Sequence, residues 1–179
     1  MSLALWHAWG QLHLGFALSQ QDKASGLDEI EAGLGEARQI GVGRFEPLHL
    51  GLAAEAYARV GRHEEAQAKM AAAFAALAHG GHVALAAELH RTRAILLLSA
   101  GLGERAAAET DLRRALEIAR QQEAPSLELR AARDLARLLA ERGERQQALD
   151  LLAPIYGWFT EGFDTLDLME AKALFEALA

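Results

Sequence analysis

Residues 52–74 read LAAEAYARVGRHEEAQAKMAAAF, and this stretch indicates two helices that are joined at Gly61. Small or apolar residues recur three and four positions apart on both sides of the glycine, which is the spacing of one helix face. A glycine just past a helix end readily adopts the left-handed conformation that terminates the helix, and Glu64 and Glu65 suit the positively polarised start of the next one. The stretch therefore predicts a tight pair of antiparallel helices.

The same pattern occurs four times in the chain: a small residue, a bulky apolar residue four positions on, and a further pair seven and eight positions on. The copies begin at Gly26, Ala66, Ala108 and Ala148, so that successive copies start 40, 42 and 40 residues apart. Self-similarity at such a period is typical of stacked helical hairpins, in which each hairpin covers the apolar flank of its neighbour. We therefore expect a right-handed α-solenoid of four helical hairpins.

The expected hairpins form a single domain over residues 1–179, with a C-terminal capping helix at about 164–178. The hairpins span about 3–41, 44–81, 82–123 and 125–161. Their first helices are predicted at 3–19, 45–60, 83–100 and 126–142, and their second helices at 25–40, 62–79, 104–122 and 144–159. Turns are predicted at Gly41-Val42-Gly43, Gly80-Gly81 and Gly101-Leu102-Gly103, and Asp164 is the predicted N-cap of the last helix. The charged residues of that helix suit a solvated cap: Asp167, Glu170, Lys172 and Glu176.

The composition favours an all-α protein. Hydrophobic residues make up 51% of the chain, but aromatic residues make up only 6% and there are only 3 prolines, so much of the apolar content is alanine in a sequence with few helix breakers. The net charge of −7 repels nucleic acids and anionic membranes, and we expect neither as a partner. There is no cysteine and no recognisable signal peptide or membrane-spanning segment, which favours the cytoplasm.

Residues 52–74 resemble a tetratricopeptide repeat. The matching positions are Ala54, Tyr57, Gly61, Ala66 and Ala73. The repeat is longer here than the roughly 34 residues that are usual for that motif, and the proline between repeats is present only as Pro125. The resemblance implies tetratricopeptide-like hairpins that bind a protein or peptide partner.

A second resemblance covers essentially the whole chain. Residues 86–98, 112–120, 126–132 and 152–165 resemble the C-terminal region of bacterial multidomain proteins that join a class III adenylyl or guanylyl cyclase domain, or a regulator domain, to an ATPase module. This resemblance implies a non-catalytic regulatory module that forms the C-terminal part of a larger signalling protein. The cyclase carboxylates and the ATPase phosphate loop have no match in this sequence, so we expect no catalytic residue and no cofactor in it.

Motifs that would anchor catalysis or a metal ion are not found. The sequence contains no GxxxxGK[ST], GxSxG or HExxH motif. Glu46 and His49 have the spacing that places two metal ligands on one helix face, but a carboxylate-bridged site needs a second copy and two further glutamates. Pro47 is better explained as a first-turn residue of a helix. We therefore expect no metal site.

Six residues form the candidate partner-binding groove: Glu55, Arg59, Arg91, Arg130, Arg133 and Arg137. The last three follow i, i+3, i+7 spacing and share one stripe of a helix. The tetratricopeptide register places all six on first helices, where they line the concave side. An arginine-lined groove would bind a carboxylate-rich peptide or another domain of the parent protein. The alternative is a solvated face on which acids balance the arginines, namely Glu128, Asp134 and Glu141.

Aromatic residues cluster at the two ends of the chain: Trp6, Trp9, Trp158, Phe159 and Phe163. They either seal the terminal hairpins or, where exposed, mark contacts with a second copy of the chain. An alternative function is therefore a self-association module that forms a homodimer through its terminal faces. A third is a helical small-molecule sensor, which requires an apolar pocket between hairpins.

Overall fold

The computed structural model describes residues 3–21, 23–41, 43–80, 83–99 and 104–178, which form nine α-helices and no strand. The helices are α1 (Leu3–Ser19), α2 (Ser25–Ile40), α3 (Glu46–Arg59), α4 (His63–Ala78), α5 (Ala86–Ser99), α6 (Arg105–Gln121), α7 (Pro125–Glu141), α8 (Arg145–Tyr156) and α9 (Leu166–Leu178). The all-α prediction is confirmed. None of the helices in these ranges is long and apolar enough to cross a membrane.

The predicted helix bounds agree with the structure to within three residues. Short 3₁₀ turns, Gly43–Phe45 and Val83–Leu85, precede α3 and α5 and delay their start. Gly41 and Gly61 have φ angles of 79° and 80°, which is the left-handed conformation expected after a helix. The predicted turn residues Val42, Gly81 and Gly101-Leu102-Gly103 lie outside the described residues.

The predicted N-cap of the last helix is wrong. Helix α9 begins at Leu166, and the residue before it is Thr165, whose carbonyl oxygen accepts the first helical hydrogen bond, from the N–H of Met169 at 3.0 Å. The Thr165 hydroxyl also donates to the carbonyl oxygen of Gly162 at 2.7 Å. These two bonds hold Thr165, rather than Asp164, in the capping position.

Helices that are adjacent in sequence pack as four pairs: α1 with α2, α3 with α4, α5 with α6, and α7 with α8. The odd-numbered helices also contact one another in chain order, from α1 through α3, α5 and α7 to α9. Further contacts join the end of each pair to the next helix, as between α2 and α3 or α6 and α7. Each pair therefore packs against the pair that follows it along the chain.

The apolar core consists mainly of two clusters that meet at α5. The first lies between α1 and α5 and includes Leu12, Ile30, Leu50, Met70 and Leu89. The second lies between α5 and α9 and includes Ala94, Leu112, Leu135, Leu152 and Leu168. Helix α5 thus contributes side chains to both halves of the core.

Glycines bring the backbones of α1 and α2 into direct contact. A Cβ atom placed on Gly33 would lie 2.7 Å from the carbonyl oxygen of Ala8 and 2.7 Å from Cγ of Leu12. Such distances are shorter than real side chains allow, so the absence of a side chain at Gly33 is required for this packing. A Cβ atom on Gly35, two residues further along α2, would meet nothing within 4 Å.

We expect Gly33→Ala to lower the free energy of unfolding by about 1–3 kcal/mol, because the added methyl group must push α1 and α2 apart. The matched control, Gly35→Ala, is expected to raise it by up to about 1 kcal/mol, since alanine is the better helix former and the site is open. Urea unfolding followed by circular dichroism measures both changes. Equal stability of the two variants would contradict direct backbone packing between α1 and α2.

Candidate functional site

The six candidate groove residues lie on three adjacent odd-numbered helices. Glu55 and Arg59 lie on α3, Arg91 lies on α5, and the other three arginines lie on α7. Helix α5 contacts both α3 and α7, and α7 contacts α9. We use the term odd-helix surface for the face of α3, α5, α7 and α9 that carries these residues.

A groove runs between α3 and α5 on this surface. One end is a cavity of about 230 Å³ bordered by Glu55, Arg59, Arg91, Thr92 and Ile95. The other end is a smaller cavity of about 40 Å³ bordered by Leu48, Leu52, Leu85 and, again, Glu55 and Thr92. The two cavities are neighbours, since both border Glu55 and Thr92, and we call them together the α3–α5 groove. Glu88 also borders the part with leucines, and Ile95 and Leu96 border the part with arginines.

Asp134 is the buried centre of an ion-pair network on the odd-helix surface. The residue is only 3% exposed. Its carboxylate accepts hydrogen bonds from Nη1 of Arg91 on α5, at 2.7 Å, and from Nε of Arg133 on α7, at 2.9 Å. Arg133 is itself only 7% exposed. Since both groups are removed from water, each charge depends on the other for its compensation.

The same network extends to α9. Arg133 donates from Nη1 to Oε2 of Glu170 at 2.6 Å, and Arg130 donates from Nε to Oδ2 of Asp167 at 2.7 Å. On α5, Glu88 accepts a hydrogen bond from Arg91 at 2.7 Å. The members among the described residues are Arg91, Arg130, Arg133, Arg137, Glu88, Asp134, Asp167 and Glu170. Four arginines meet four carboxylates, so the network carries no net charge and ties α5, α7 and α9 together.

Arg91 is held in its charged form by these contacts. Burial alone would lower the pKa of Arg91, but its hydrogen bonds with Glu88 and Asp134 and their negative charges outweigh burial and keep the pKa above its ordinary value. A partner could bind this guanidinium only by breaking bonds that already satisfy it. Arg91 therefore acts first as a link between α5 and α7.

Arg59 and Arg137 are the more available of the six candidate residues. Their side chains are 39% and 51% exposed. Arg59 lies 3.8 Å from a carboxylate oxygen of Glu55, and Arg137 lies 3.7 Å from one of Asp134, distances too long for a hydrogen bond. Both guanidinium groups therefore keep hydrogen-bonding capacity for a partner.

The sequence contains only part of the information about which acids balance these arginines. Of the three acids considered for a solvated face, Asp134 does contact arginines of the network. Glu128 instead accepts a hydrogen bond from Arg120 at 2.7 Å, and Glu141 accepts one from Arg105 at 2.8 Å. The arginines of the network are therefore balanced by carboxylates, but of the three acids considered from the sequence only Asp134 is one of them.

Three acids of the network were missed by sequence reasoning. Glu88 precedes Arg91 by three residues on α5, and this spacing is a signal that the sequence contains. Asp167 and Glu170 each lie 37 residues from the arginine to which they bind. Their pairing with the arginines follows from the packing of α9 on α7, so no local sequence pattern reveals it. The two acids are therefore ion-pair partners of α7 as well as charged residues of the terminal helix.

A second polar cluster joins α5 to α6. Asp111, which is 5% exposed, accepts a hydrogen bond from Nε of Arg93 at 2.6 Å and is hydrogen-bonded to Nδ1 of His90 at 2.8 Å. Burial raises the pKa of Asp111, but the bonds from His90 and Arg93 outweigh it and hold the pKa below its ordinary value. The Arg93 guanidinium also lies 4.3 Å from the ring centre of Phe74 on α4. This cluster holds three helices in register.

The terminal aromatic residues divide into packed and exposed groups. Trp9 is half-buried and contacts the rings of Phe45 and His49 at 5.2 and 5.7 Å, so it seals the contact between α1 and α3. Trp6 and Trp158 are 55% and 66% exposed. Phe163, at 48%, packs only partly, against the ring of Tyr156, which in turn stacks on Phe175 of α9.

Glu46 and His49 have the spacing of a pair of metal ligands in the sequence, and their surroundings are as follows. The carboxylate of Glu46 accepts a hydrogen bond from Nε of Arg38 at 2.8 Å, and His49 is buried. Within the described ranges, no group of three or more histidine, aspartate or glutamate side chains is placed to hold a metal ion. Glu46 is therefore engaged in an ion pair with Arg38.

Comparison with known proteins gives no family for this chain. No protein-family model matches the sequence. No curated protein matches it either. The assignment of function therefore rests on the repeat pattern and on the geometry of the odd-helix surface.

We expect Asp134→Ala to lower the free energy of unfolding by about 3 kcal/mol, because it leaves half-buried Arg91 and buried Arg133 without a shared counter-ion. The matched control is Glu141→Ala, which removes an exposed partner of Arg105 and is expected to cost less than about 1 kcal/mol. Denaturant unfolding at low and high salt measures both. Equal costs for the two variants would contradict a structural role for the buried network.

Proposed function

We propose that the chain is a right-handed α-solenoid of four tetratricopeptide-like hairpins with a capping helix, and that it serves as a non-catalytic protein- or peptide-binding module. The observation that carries this proposal is the ordered contact of the odd-numbered helices, from α1 to α9, combined with a period of about 40 residues in the sequence. Such an arrangement presents one continuous face built from equivalent helices.

The accessible surface supports an open stack over a closed bundle. The chain exposes 9411 Å². A compact monomer of 19.3 kDa is expected to expose about 8,500 Å², so the surface is larger by roughly a tenth. An array whose pairs contact only their neighbours has this excess because its two long sides remain uncovered.

The α3–α5 groove is the proposed binding surface, together with Arg137 on the neighbouring α7. The part of the groove with leucines offers apolar contact through Leu48 and Leu52, beside the carboxylates of Glu55 and Glu88, and the part with arginines offers the available guanidinium of Arg59. A peptide that carries an apolar side chain and one or two carboxylates matches this arrangement. Arg91, Arg130 and Arg133 support the surface through their ion pairs rather than by binding the partner.

The resemblance in the sequence extends this proposal to the parent protein. We infer that the module belongs to the C-terminal part of a bacterial signalling protein with cyclase or ATPase domains, whose own domains are candidate partners. The catalytic residues of such a protein would lie in those other domains.

Selection from a displayed library of 12-residue peptides tests the binding proposal. We expect enrichment of acidic peptides, and a loss of about tenfold or more in affinity for Arg59→Glu/Arg137→Glu, which replaces attraction by repulsion. The matched control is Arg105→Glu/Arg114→Glu on α6, which makes the same change of charge away from the odd-helix surface. Fluorescence anisotropy with the selected peptides measures the affinities.

The outcomes of this selection are distinct. Loss of binding in the first double variant, with retention in the control, supports the α3–α5 groove and Arg137 as the binding surface. Equal losses in both variants mean that net charge, and not this surface, attracts the peptide. Failure to enrich any peptide contradicts the proposed function.

A second candidate function is self-association, which the exposed apolar side chains near the C-terminus favour. Trp158, Phe163, Leu166 and Met169 are 66%, 48%, 68% and 54% exposed, and they lie close together in sequence around the start of α9. Large apolar groups that remain in water are typical of a surface that another chain covers. A homodimer through this end of the stack would bury them.

For self-association we expect the sedimentation coefficient to rise with protein concentration, and Trp158→Ala to remove this rise by deleting a large side chain that is 66% exposed at the C-terminal end of the stack. Trp6→Ala, at the opposite end of the chain, is the control and is expected to retain it. The measurement is sedimentation velocity over a roughly hundredfold range of protein concentration. A concentration-independent monomer would exclude this candidate.

A further inference from the structure

A cavity of about 220 Å³ lies where the end of α2 meets the start of α3. Leu34 and Ala37 of α2 form an apolar wall, and the cavity also borders Gly41, Gly43 and His49. The cavity opens to the outside, since Gly41 and Gly43 are exposed. The cavity therefore lies at the junction of the first and second helix pairs, away from the residues of the odd-helix surface.

His49 is a buried polar side chain on the wall of this cavity. The residue is 3% exposed, and its ring lies 5.7 Å from that of Trp9 and 6.4 Å from that of His13. These are contacts between ring faces and edges, and among the described residues neither ring nitrogen of His49 takes part in a hydrogen bond. A ring nitrogen that has no hydrogen bond within the described part of the protein can form one with a molecule that enters the cavity.

The imidazole of His49 is uncharged at neutral pH. Burial foremost, and the nearby His13, lower its pKa to about 4, while Glu46 acts in the opposite direction. A neutral imidazole has one N–H donor and one nitrogen acceptor. His49 can therefore either donate a hydrogen bond to a ligand or accept one from it.

The charges that the described residues place at the rim of the cavity balance each other. Arg38 and Glu46, which both border it, are bound to each other at 2.8 Å. A charged ligand would lose water in the cavity without gaining a free counter-ion there. The walls therefore favour a neutral molecule with an apolar body.

The size of the cavity limits the ligand further. A protein cavity of about 150 Å³ with apolar walls holds a benzene molecule, and a water molecule occupies about 30 Å³ in the liquid. The cavity at the end of α2 is larger than that benzene-sized cavity and smaller than the sites of about 300–1,000 Å³ that hold drug-sized ligands. One ring with a small substituent fits this range.

We propose that this cavity is a binding site for an uncharged single-ring molecule whose hydroxyl or ring N–H group forms a hydrogen bond with the imidazole of His49. The ring packs against Leu34 and Ala37, while the Arg38–Glu46 pair closes the side that faces water. The site is independent of the partner-binding surface proposed above, so either can fail without the other.

The glycine at position 43 offers a way to block the cavity without disturbing the fold. A Cβ atom on Gly43 would meet nothing within 4 Å, and the residue borders the cavity. Gly43→Leu therefore places a side chain in open space at the cavity. Gly35→Leu is the matched control, because Gly35 also has open space around it and does not border the cavity.

The test uses 4-methylphenol and toluene as probes of the full chain, which differ by one hydroxyl group. Titrations are followed by NMR through the imidazole signals of His49 and by isothermal calorimetry. We expect saturable binding of 4-methylphenol, weaker binding of toluene by about fivefold or more, and loss of that difference in His49→Phe, which retains a ring but no nitrogen. Gly43→Leu is expected to weaken both probes about tenfold or more, and Gly35→Leu to change neither.

Each outcome decides the proposal. Saturable binding that depends on both Gly43 and His49 supports it. Equal affinity of the two probes for the native chain refutes the hydrogen bond to His49, and unchanged binding in Gly43→Leu refutes the location. Absence of saturable binding up to the solubility limit of 4-methylphenol overturns the site. Should His49→Phe unfold, the Gly43→Leu titration still decides.

Discussion

The close approach of helix backbones is the constraint on which the rest of this structure depends. Glycines make this approach possible between α1 and α2, where Gly33 lies directly against the backbone of α1. Further along the chain the corresponding positions are buried alanines, since Ala108, Ala115 and Ala148 are 0% exposed. When the two backbones of a pair are this close, the larger side chains are left to fill the space between successive pairs, which produces one core from many small contacts.

Charge has a structural role on the odd-helix surface as well as a proposed binding role. Arginines spaced along one helix are a common sign of an anionic partner, yet Arg133 is buried and bound to carboxylates of its own chain. The distinction between supporting and available arginines depends on exposure and distance, which separate Arg133 from Arg137 although both lie on α7. A surface of this kind can bind an acidic segment only through the cations that its own acids leave unsatisfied.

The repeat pattern predicts the helices well because helix bounds follow from local chemistry. The glycine after a helix, the 3.6-residue period of apolar residues and the spacing of the copies are all short-range signals, and the bounds agree to within three residues. The cap of α9 was mispredicted because two neighbouring residues, Asp164 and Thr165, both suit the position, and a contact with Gly162 selects between them. Local signals do not rank such alternatives.

The candidate site is harder to predict from sequence than the helices, because its geometry depends on contacts between residues that are far apart along the chain. The placement of six residues on first helices follows from the register, but the acids of α9 that bind Arg130 and Arg133 lie 37 residues away. The cavity beside His49 is likewise produced by the junction of two helix pairs. Sequence reasoning allowed for a pocket between hairpins without locating it, since a void has no sequence signature of its own.

The position of α5 between the two halves of the core has a consequence for cooperativity. In arrays of helical repeats, the energetic coupling between units passes only through shared interfaces. Helix α5 supplies Leu89 to one cluster and Ala94 to the other. If either half of the core loosens, α5 loses contacts that hold it in place, and the packing of the other half is weakened as well. The molecule should consequently melt in a single transition, with amide protons of α5 among the slowest to exchange with solvent.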